Sequence, residues 1–288
     1  MLHPPSTTLW LPRPRWSSSV YAYVARDTQG CGLEGRDRHN RFPASSFISL
    51  NWFLAGSVEL LAADGEAAIR ELPRWLVIGR LGPTETRNRG DLRYFGISMY
   101  PDAFTAAFGV APQQLDGRLV DAHEVLSPEA LAMFGAVAQA PDDERRMAVF
   151  EDYLAAHAAG FKASLWQAAV RSGTRLSVRL LSRLLQVGDR QTIRATRKAL
   201  GVGVSDLRRF ARGEAAFGEL SARLKDSDKA VSLADIAAEA GYADQSHLSR
   251  ECKAVTGRTP REFLRGFEGD EADWIYRATR ALVDRPDR

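Results

Sequence analysis

The sequence predicts an α+β protein of more than one domain, with a β-rich N-terminal part followed by an all-helical C-terminal part. Over residues 8–100, short apolar runs rich in aromatic and β-branched residues alternate with turn residues, which is typical of the strands of a sandwich or barrel. From about residue 101 the apolar residues recur at helical spacing, and only helical patterns follow residue 164. A chain of 288 residues is also long enough for about two domains.

The strongest local patterns are four strands and three helices. The strands are predicted over residues 20–24, 47–54, 75–78 and 94–99. The helices are predicted over residues 101–108, 128–139 and 142–159. In the last helix Asp142, Asp143 and Glu144 stand where the helix dipole favours acids, which indicates a helix start rather than a pair of catalytic carboxylates.

The positive charge is concentrated in one segment. Residues 166–268 contain 19 Lys or Arg against 12 Asp or Glu, whereas residues 1–165 contain 16 against 19. Most of the basic residues are arginines, whose planar guanidinium groups suit phosphate and carboxylate. A basic segment attached to an acidic half indicates an anionic partner, most often nucleic acid, although a solvated arginine-rich helix face is the alternative.

Several classes of protein are excluded at this level. No apolar stretch reaches the ~18 residues that a membrane-spanning helix needs. Two cysteines, Cys31 and Cys252, exclude a disulfide framework and a four-cysteine zinc site. The N-terminus lacks the charged start and the apolar run of a signal peptide, so we expect a cytoplasmic protein without a membrane segment.

An internal repeat is the most informative feature of the C-terminal part. Residues 176–201 and 231–257 each read as a helix, a short turn, a second helix and a glycine. Two helices joined by such a turn predict a helix-turn-helix unit, whose second helix can enter the major groove of DNA. In the second repeat, Ser232 and Asp244 are the predicted N-caps and Gly257 ends the second helix.

A helical projection separates a buried face from an outward face in both units. In the second unit Leu248, Cys252 and Val255 share the buried side. The outward residues are Ser246, Arg250 and Lys253, with His247 at the border and Gln245 nearby. In the first unit the outward residues are Arg190, Arg194 and Arg197, flanked by Ile193. Outward arginines can contact guanine or phosphate through two hydrogen bonds, whereas the alternative is a charged helical hairpin without a ligand.

The segment from Ser232 to Pro260 resembles the C-terminal signature of the AraC/XylS family of bacterial transcription regulators. The resemblance is carried by three ordered runs and a lysine, namely Ser232–Ala237, Ala240–Arg250, Gly257–Pro260 and Lys253. It implies a DNA-binding domain of two helix-turn-helix units over residues 166–268, followed by a tail helix over residues 269–288. The base-facing residues that the resemblance implies coincide with the outward faces named above.

By the same resemblance, residues 1–162 form a β-rich sensory and dimerisation domain, a cupin-like barrel that ends in helices. The implied partners are double-stranded promoter DNA, RNA polymerase, a small-molecule effector and a second copy of the chain. The implied function is that of a sequence-specific transcription factor, more an effector-responsive activator than a repressor. No cofactor and no metal are expected, because the histidines of this half are widely scattered, at His3, His39, His123 and His157.

Three sets of N-terminal residues are candidates for other roles. The arginines beside predicted strands suit an acidic effector or an ordinary charged loop; they are Arg87, Arg89 and Arg93. The aromatic residues suit a core rather than a ligand cage; they are Trp52, Phe53, Trp75, Tyr94 and Phe95. Cys31 lies between two glycines and suits either a thiol sensor or an exposed thiol without a role.

Two other functions stay open at this stage. In the first, the N-terminal half of a DNA-binding regulator only dimerises or binds a protein partner. In the second, a cupin-like enzyme or a DNA-alkylation repair enzyme is fused to the DNA-binding segment, which requires a reactive Cys31. The sequence contains no nucleophile elbow, phosphate-binding glycine loop or zinc-protease motif, so we expect no enzyme activity.

Overall fold

The structure, a computed structural model, describes residues 3–79, 81–158, 161, 232–239, 242–267 and 269–283. Within these ranges the N-terminal part consists of strands followed by helices, and the C-terminal part is helical. The predicted fold class is therefore confirmed. The predicted first helix-turn-helix unit lies outside the described residues.

The strands of the described N-terminal part form two antiparallel sheets. They are β1 (Ser6–Trp10), β2 (Val20–Asp27), β3 (His39–Phe42), β4 (Ile48–Ala55), β5 (Val58–Ala63), β6 (Glu66–Glu71), β7 (Trp75–Ile78), β8 (Thr84–Asn88), β9 (Arg93–Met99) and β10 (Leu119–Asp121). The six-stranded sheet has the order β1-β2-β9-β4-β7-β10, and the four-stranded sheet has the order β3-β8-β5-β6. The ladders of these strands keep the two sheets separate, so hydrogen bonds do not close the expected barrel.

The alternation of side chains along the six-stranded sheet decides what each of its faces contacts. Trp52 on β4 pairs with Phe95 on β9, and both side chains are fully buried in the core that the sheet shares with the N-terminal helices. The indole Nε1 of Trp52 donates to the carbonyl oxygen of Phe134 at 3.0 Å. The next residue, Phe53, belongs instead to the apolar cluster between the two sheets, because successive side chains point to opposite faces.

The described N-terminal part contains four helices, three of which the sequence predicts. They are α1 (Pro101–Phe108), α2 (Ala122–Val125), α3 (Pro128–Gln139) and α4 (Asp143–His157). The short helix α2 is the one that the sequence does not predict. The hydroxyl of Ser127 accepts from the N–H of Ala130, and the carboxylate of Asp142 accepts from the N–H of Arg145. Asp142 is thus the N-cap of α4, which confirms that this acidic run is a helix start.

All of the strongest local patterns are confirmed. The four predicted strands are β2, β4, β7 and β9, and the three predicted helices are α1, α3 and α4. The remaining strands carry no prediction, and β6 shows why. It forms an edge of the four-stranded sheet and exposes five of its six side chains, so no apolar alternation marks it in the sequence.

The described C-terminal part contains four helices. They are α5 (Leu233–Glu239), α6 (Gln245–Thr256), α7 (Pro260–Phe267) and α8 (Trp274–Val283). The predicted tail helix is α8, and a short 3-10 turn over Glu271–Asp273 precedes it. This tail packs against α7 through the rings of Phe263 and Tyr276, and also against β1 and β3, the edge strands of the two sheets. The contact with the sheets has no counterpart in the sequence analysis.

Candidate nucleic-acid interface

The candidate interface is the outward face of α6, whose two ends are set by the predicted caps. The carboxylate of Asp244 accepts from the N–H of His247 at 2.7 Å. Gly257 has a left-handed backbone with φ of 75°, and its N–H donates to the carbonyl oxygen of Lys253 at 2.8 Å. Both contacts satisfy backbone groups that have no partner within the helix itself.

The two faces of α6 differ as the helical projection predicts. Leu248, Cys252 and Val255 are each at most 5% exposed. The candidate DNA-contacting residues Gln245, Ser246, Arg250 and Lys253 are exposed. A polar row with two cations therefore faces outward, while their contact with DNA itself stays a prediction.

His247 lies at the border of this face, as predicted. Its side chain is half-buried, and its ring stands edge-on to that of Tyr242, with the ring centroids 5.2 Å apart. This contact holds one edge of the imidazole against the turn that precedes α6.

A small apolar core fixes α6 relative to α5. It contains Leu233, Ile236, Ala237, Tyr242 and Leu248. The N–H of Tyr242 donates to the carbonyl oxygen of Ala237 at 2.7 Å, which links α5 to the residues that lead into α6. Ser232 caps α5 as predicted, because its hydroxyl accepts from the N–H of Asp235. This core therefore holds α6 against α5, with the polar face of α6 directed outward.

The candidate residues of the first unit lie outside the described residues. They are Arg190, Ile193, Arg194 and Arg197. Their predicted outward face thus rests on the sequence pattern.

Comparison with known families identifies the C-terminal part of the chain. Residues 181–266 match the sequence model of a helix-turn-helix domain. This segment is similar to AraC-type helix-turn-helix domains. The matched range contains the outward residues of both predicted units.

Solved structures of ToxT from Vibrio cholerae are also similar to this chain. One ToxT structure is 10% identical, covers 92% of this chain and 99% of its own, and has a TM-score of 0.41. Another, with an unsaturated fatty acid bound to ToxT, is 11% identical, covers 78% of this chain and 94% of its own, and has a TM-score of 0.38. No curated protein matches the chain.

Within the described ranges, every helix is too short or too polar to span a lipid bilayer. No group of three or more His, Cys, Asp or Glu side chains there is arranged to hold a metal ion.

The arginines that are candidates for binding an acidic effector form ion pairs within the chain. The pairs are Arg87 with Glu59 at 2.5 Å, Arg89 with Glu71 at 3.2 Å and Arg93 with Asp143 at 2.6 Å. An acidic effector would have to compete with these carboxylates for the guanidinium groups. The structure therefore favours the reading of these arginines as ordinary surface charges.

The thiol of Cys31 has surroundings that oppose its activation. Its Sγ lies 3.6 Å from the carbonyl oxygen of Gln29. Partial burial, followed by the neighbouring carboxylates of Asp27 and Asp91, raises the pKa of the Cys31 thiol. A raised pKa lowers the thiolate fraction at neutral pH, and the thiolate is the reactive form.

One groove in the β-rich part has a volume of about 480 Å³. Its lining is partly aromatic and partly polar, and includes Arg74, Trp75, Asp121, His123 and Gln139. The imidazole of His123 stacks on Trp75 with the ring centroids 5.1 Å apart, and its Nδ1 lies 2.7 Å from Asp121 Oδ1. The sequence marks Trp75 as a strand residue, but no local signal indicates this grouping.

A second grouping that the sequence analysis missed is a set of charges where the tail meets the two domains. The carboxylate of Asp273 accepts from both Nη atoms of Arg258, each at 2.8 Å. Arg41 on β3 lies 2.7 Å from Asp270 and 3.5 Å from Asp273. Asp273 is fully buried, so it is a buried charge with two arginine partners.

Proposed function

We propose that this regulator reads promoter DNA by placing α6 in a major groove, with residues 166–268 as the DNA-binding domain. The observation that carries the proposal is the exposed row on α6, set opposite a buried apolar stripe. On that row Arg250 suits the O6 and N7 atoms of a guanine, and Lys253 suits a phosphate. Gln245, Ser246 and His247 would complete the base-reading set at the N-terminal end of the helix.

The first unit would read a second major groove on the same face of the duplex. Its candidate contacts are Arg190, Ile193, Arg194 and Arg197, all within the range that matches the helix-turn-helix family. Two such helices in one chain suit half-sites about 10 base pairs apart, which is one turn of B-DNA. The arginines would also neutralise phosphates, so the affinity would fall as salt is raised.

Residues 1–162 would act as the sensory and dimerisation domain. The groove beside Trp75 and His123 is our candidate effector site, because its aromatic wall and polar rim suit a small amphipathic molecule. An effector would change the population of DNA-competent chains in proportion to its preference for that state. By family resemblance the regulator would activate transcription by recruiting RNA polymerase in the cytoplasm.

The alternative in which the N-terminal part only dimerises or binds a protein predicts a ligand-independent dimer. Light scattering of the full chain, combined with a thermal screen of small molecules, separates the two. The enzyme alternative is disfavoured, because the raised pKa of the Cys31 thiol opposes the reactive thiolate that it requires.

The test is selection of binding sites from a random DNA pool by the full chain. The variants Arg194→Ala and Arg250→Ala are compared with Arg89→Ala, which removes the same charge from the β-rich part. We expect a bipartite motif in which each DNA-facing variant weakens its own half, whereas Arg89→Ala leaves the motif intact. A motif that responds only to Arg250→Ala would remove the first unit from base reading, and no enrichment at all would contradict the proposal.

A further inference from the structure

The tail, residues 269–283, bridges the β-rich domain and the second helix-turn-helix unit. On the β-rich side, the indole Nε1 of Trp274 donates to Asn40 Oδ1 at 2.9 Å, and the Trp274 ring stands edge-on to Phe42. On the other side, Tyr276 packs with Cys252 and Phe263 in one buried cluster. The same tail segment thus contributes to the packing of both parts.

Ion pairs add to this bridge on both sides. The guanidinium of Arg26, which is almost fully buried on β2, pairs with Glu271 and lies 4.6 Å from the centre of the Trp274 ring. Arg41 on β3 pairs with Asp270. Arg258, two residues beyond the end of α6, pairs with Asp273 through two hydrogen bonds.

The C-terminal end of α6 also contacts the β-rich domain directly. The N–H of Ala44, in the loop before β4, donates to the carbonyl oxygen of Val255 at 2.7 Å. This contact uses the end of α6 and leaves Gln245, Ser246 and Arg250 exposed. The β-rich domain therefore holds α6 without covering its candidate DNA face.

We infer that residues 269–283 form an interdomain clasp that fixes α6 relative to the β-rich domain, with Asp273 as its central positioning residue. Asp273 serves here because its buried carboxylate reaches Arg258 beside α6 and Arg41 on β3 at once. The clasp preorganises α6 for DNA binding, a consequence that rests on the proposed function. It also provides the physical link through which a change in the β-rich domain reaches α6.

The first measurement is the distance between the two domains in the full chain, read by electron paramagnetic resonance. Spin labels are attached at Glu66→Cys on β6 and Ala254→Cys on α6, both exposed positions. Cys31→Ser removes the half-exposed native thiol, and Cys252 stays because it is buried. This measurement needs no DNA, so it stands even if the proposed function fails.

The test variant is Arg41→Gln, which removes the ion pairs of β3 with Asp270 and Asp273 and leaves the Arg26–Glu271 and Arg258–Asp273 pairs in place. Arg41→Lys retains the charge, and Arg87→Gln is the matched control, since Arg87 lies on the neighbouring strand and pairs within the β-rich domain. We expect one narrow distribution of the distance between the two labels in the protein that carries only the labelling substitutions, here called the parent, and also in Arg41→Lys and Arg87→Gln. In Arg41→Gln we expect a broad distribution. An equally narrow distribution in Arg41→Gln, or an equally broad one in Arg87→Gln, would overturn the clasp.

The second measurement is affinity for the DNA that the parent selects. If Arg41→Gln leaves about one fifth of the chains with α6 correctly placed, the apparent Kd rises about fivefold. Unchanged affinity together with a broadened distance distribution would overturn the preorganising role. Failure of the parent to select any DNA would instead count against the proposed function.

Discussion

At the scale of single residues, burial divides the charged side chains into two groups with different roles. Arg250 and Lys253 are exposed on α6, where they can meet an external anion without a large desolvation cost. Arg26 and Asp273 are almost fully buried, where each charge needs a partner inside the protein. The same type of side chain is therefore available to an external partner in one place and takes part in packing in another.

Arg250→Ala tests the first group. We expect the free energy of specific DNA binding to weaken by about 1–3 kcal/mol, with relaxed preference at one base position, because a contact through two hydrogen bonds to a base edge is lost. Fluorescence anisotropy with the selected site and with single-base variants of it measures both effects. Arg265→Ala, an exposed arginine on α7, is the control. An equal loss on every sequence would make Arg250 a phosphate contact only.

Asp273→Asn tests the second group. It leaves the partly buried guanidinium of Arg258 without its carboxylate, so we expect the free energy of unfolding to fall by about 3–5 kcal/mol. Denaturant unfolding measures the change. Glu71→Gln breaks the exposed pair with Arg89, and such surface pairs contribute at most about 1 kcal/mol. Similar losses in the two variants would show that burial does not set the value of these pairs.

At the scale of elements, the helix boundaries are set by a few local contacts. The N-cap Asp244 precedes α6, and the left-handed Gly257 follows it. Thr259 and Glu262 begin α7 by bonding each other's backbone N–H groups, and this contact, first with the backbone and then with the hydroxyl of Thr259, lowers the pKa of Glu262. Such contacts span three or four residues, so they are visible in the sequence as residue types at fixed spacing.

Asp244→Ala and Asp244→Asn form a matched pair for α6. Alanine removes the acceptor for the N–H of His247, and we expect it to cost about 1 kcal/mol of stability. Asparagine retains an acceptor oxygen and is expected to cost much less, since it caps helices about as well as aspartate. Thermal unfolding followed by circular dichroism gives both values. Equal losses would mean that the negative charge, rather than the cap, stabilises this end.

At the scale of the whole molecule, the tail covers one edge strand of each sheet. β1 and β3 are edge strands of their sheets, and exposed edges invite pairing with other chains. The tail packs against both of them and against α7. One segment thus protects two edges and joins the β-rich part to the second helix-turn-helix unit.

The ion pair between Arg41 and Asp270, which joins β3 to the tail, should weaken as the pH falls. Burial would raise the pKa of Asp270, but hydrogen bonds from Arg41 and from the N–H of Ala272, together with the charges of Arg41 and Arg258, lower it below its usual value of 3.8. A depressed pKa stabilises the fold above the unfolded value, and this contribution is lost as pH falls through the folded value.

Nuclear magnetic resonance titration of the Asp270 carboxyl carbon measures this shift. We expect Arg41→Gln to raise the pKa of Asp270, because its main hydrogen-bond donor and nearest cation are removed. Arg87→Gln should leave that pKa unchanged. A depressed pKa that persists in Arg41→Gln would assign the effect to Arg258 and the backbone instead.

Local patterns in the sequence were sufficient for the four central strands of the six-stranded sheet, for α1, α3 and α4, and for the two faces of α6. Apolar periodicity and caps act over a few residues, so they survive in a single chain without tertiary information. Edge strands such as β6 carry little apolar alternation, which is why they have no such signal. The predicted contacts of the first unit stay predictions.

By itself, the sequence determined the helix-turn-helix character of the C-terminal part, because such a unit is a local arrangement that caps, spacing and outward charges describe. Only the tertiary structure decided that Arg41 meets Asp273, 232 positions further along the chain, and that Trp75 stacks on His123. Such pairs depend on how sheets and helices pack, and that packing brings together residues with no fixed spacing. The junction between the domains therefore has no signature in the sequence.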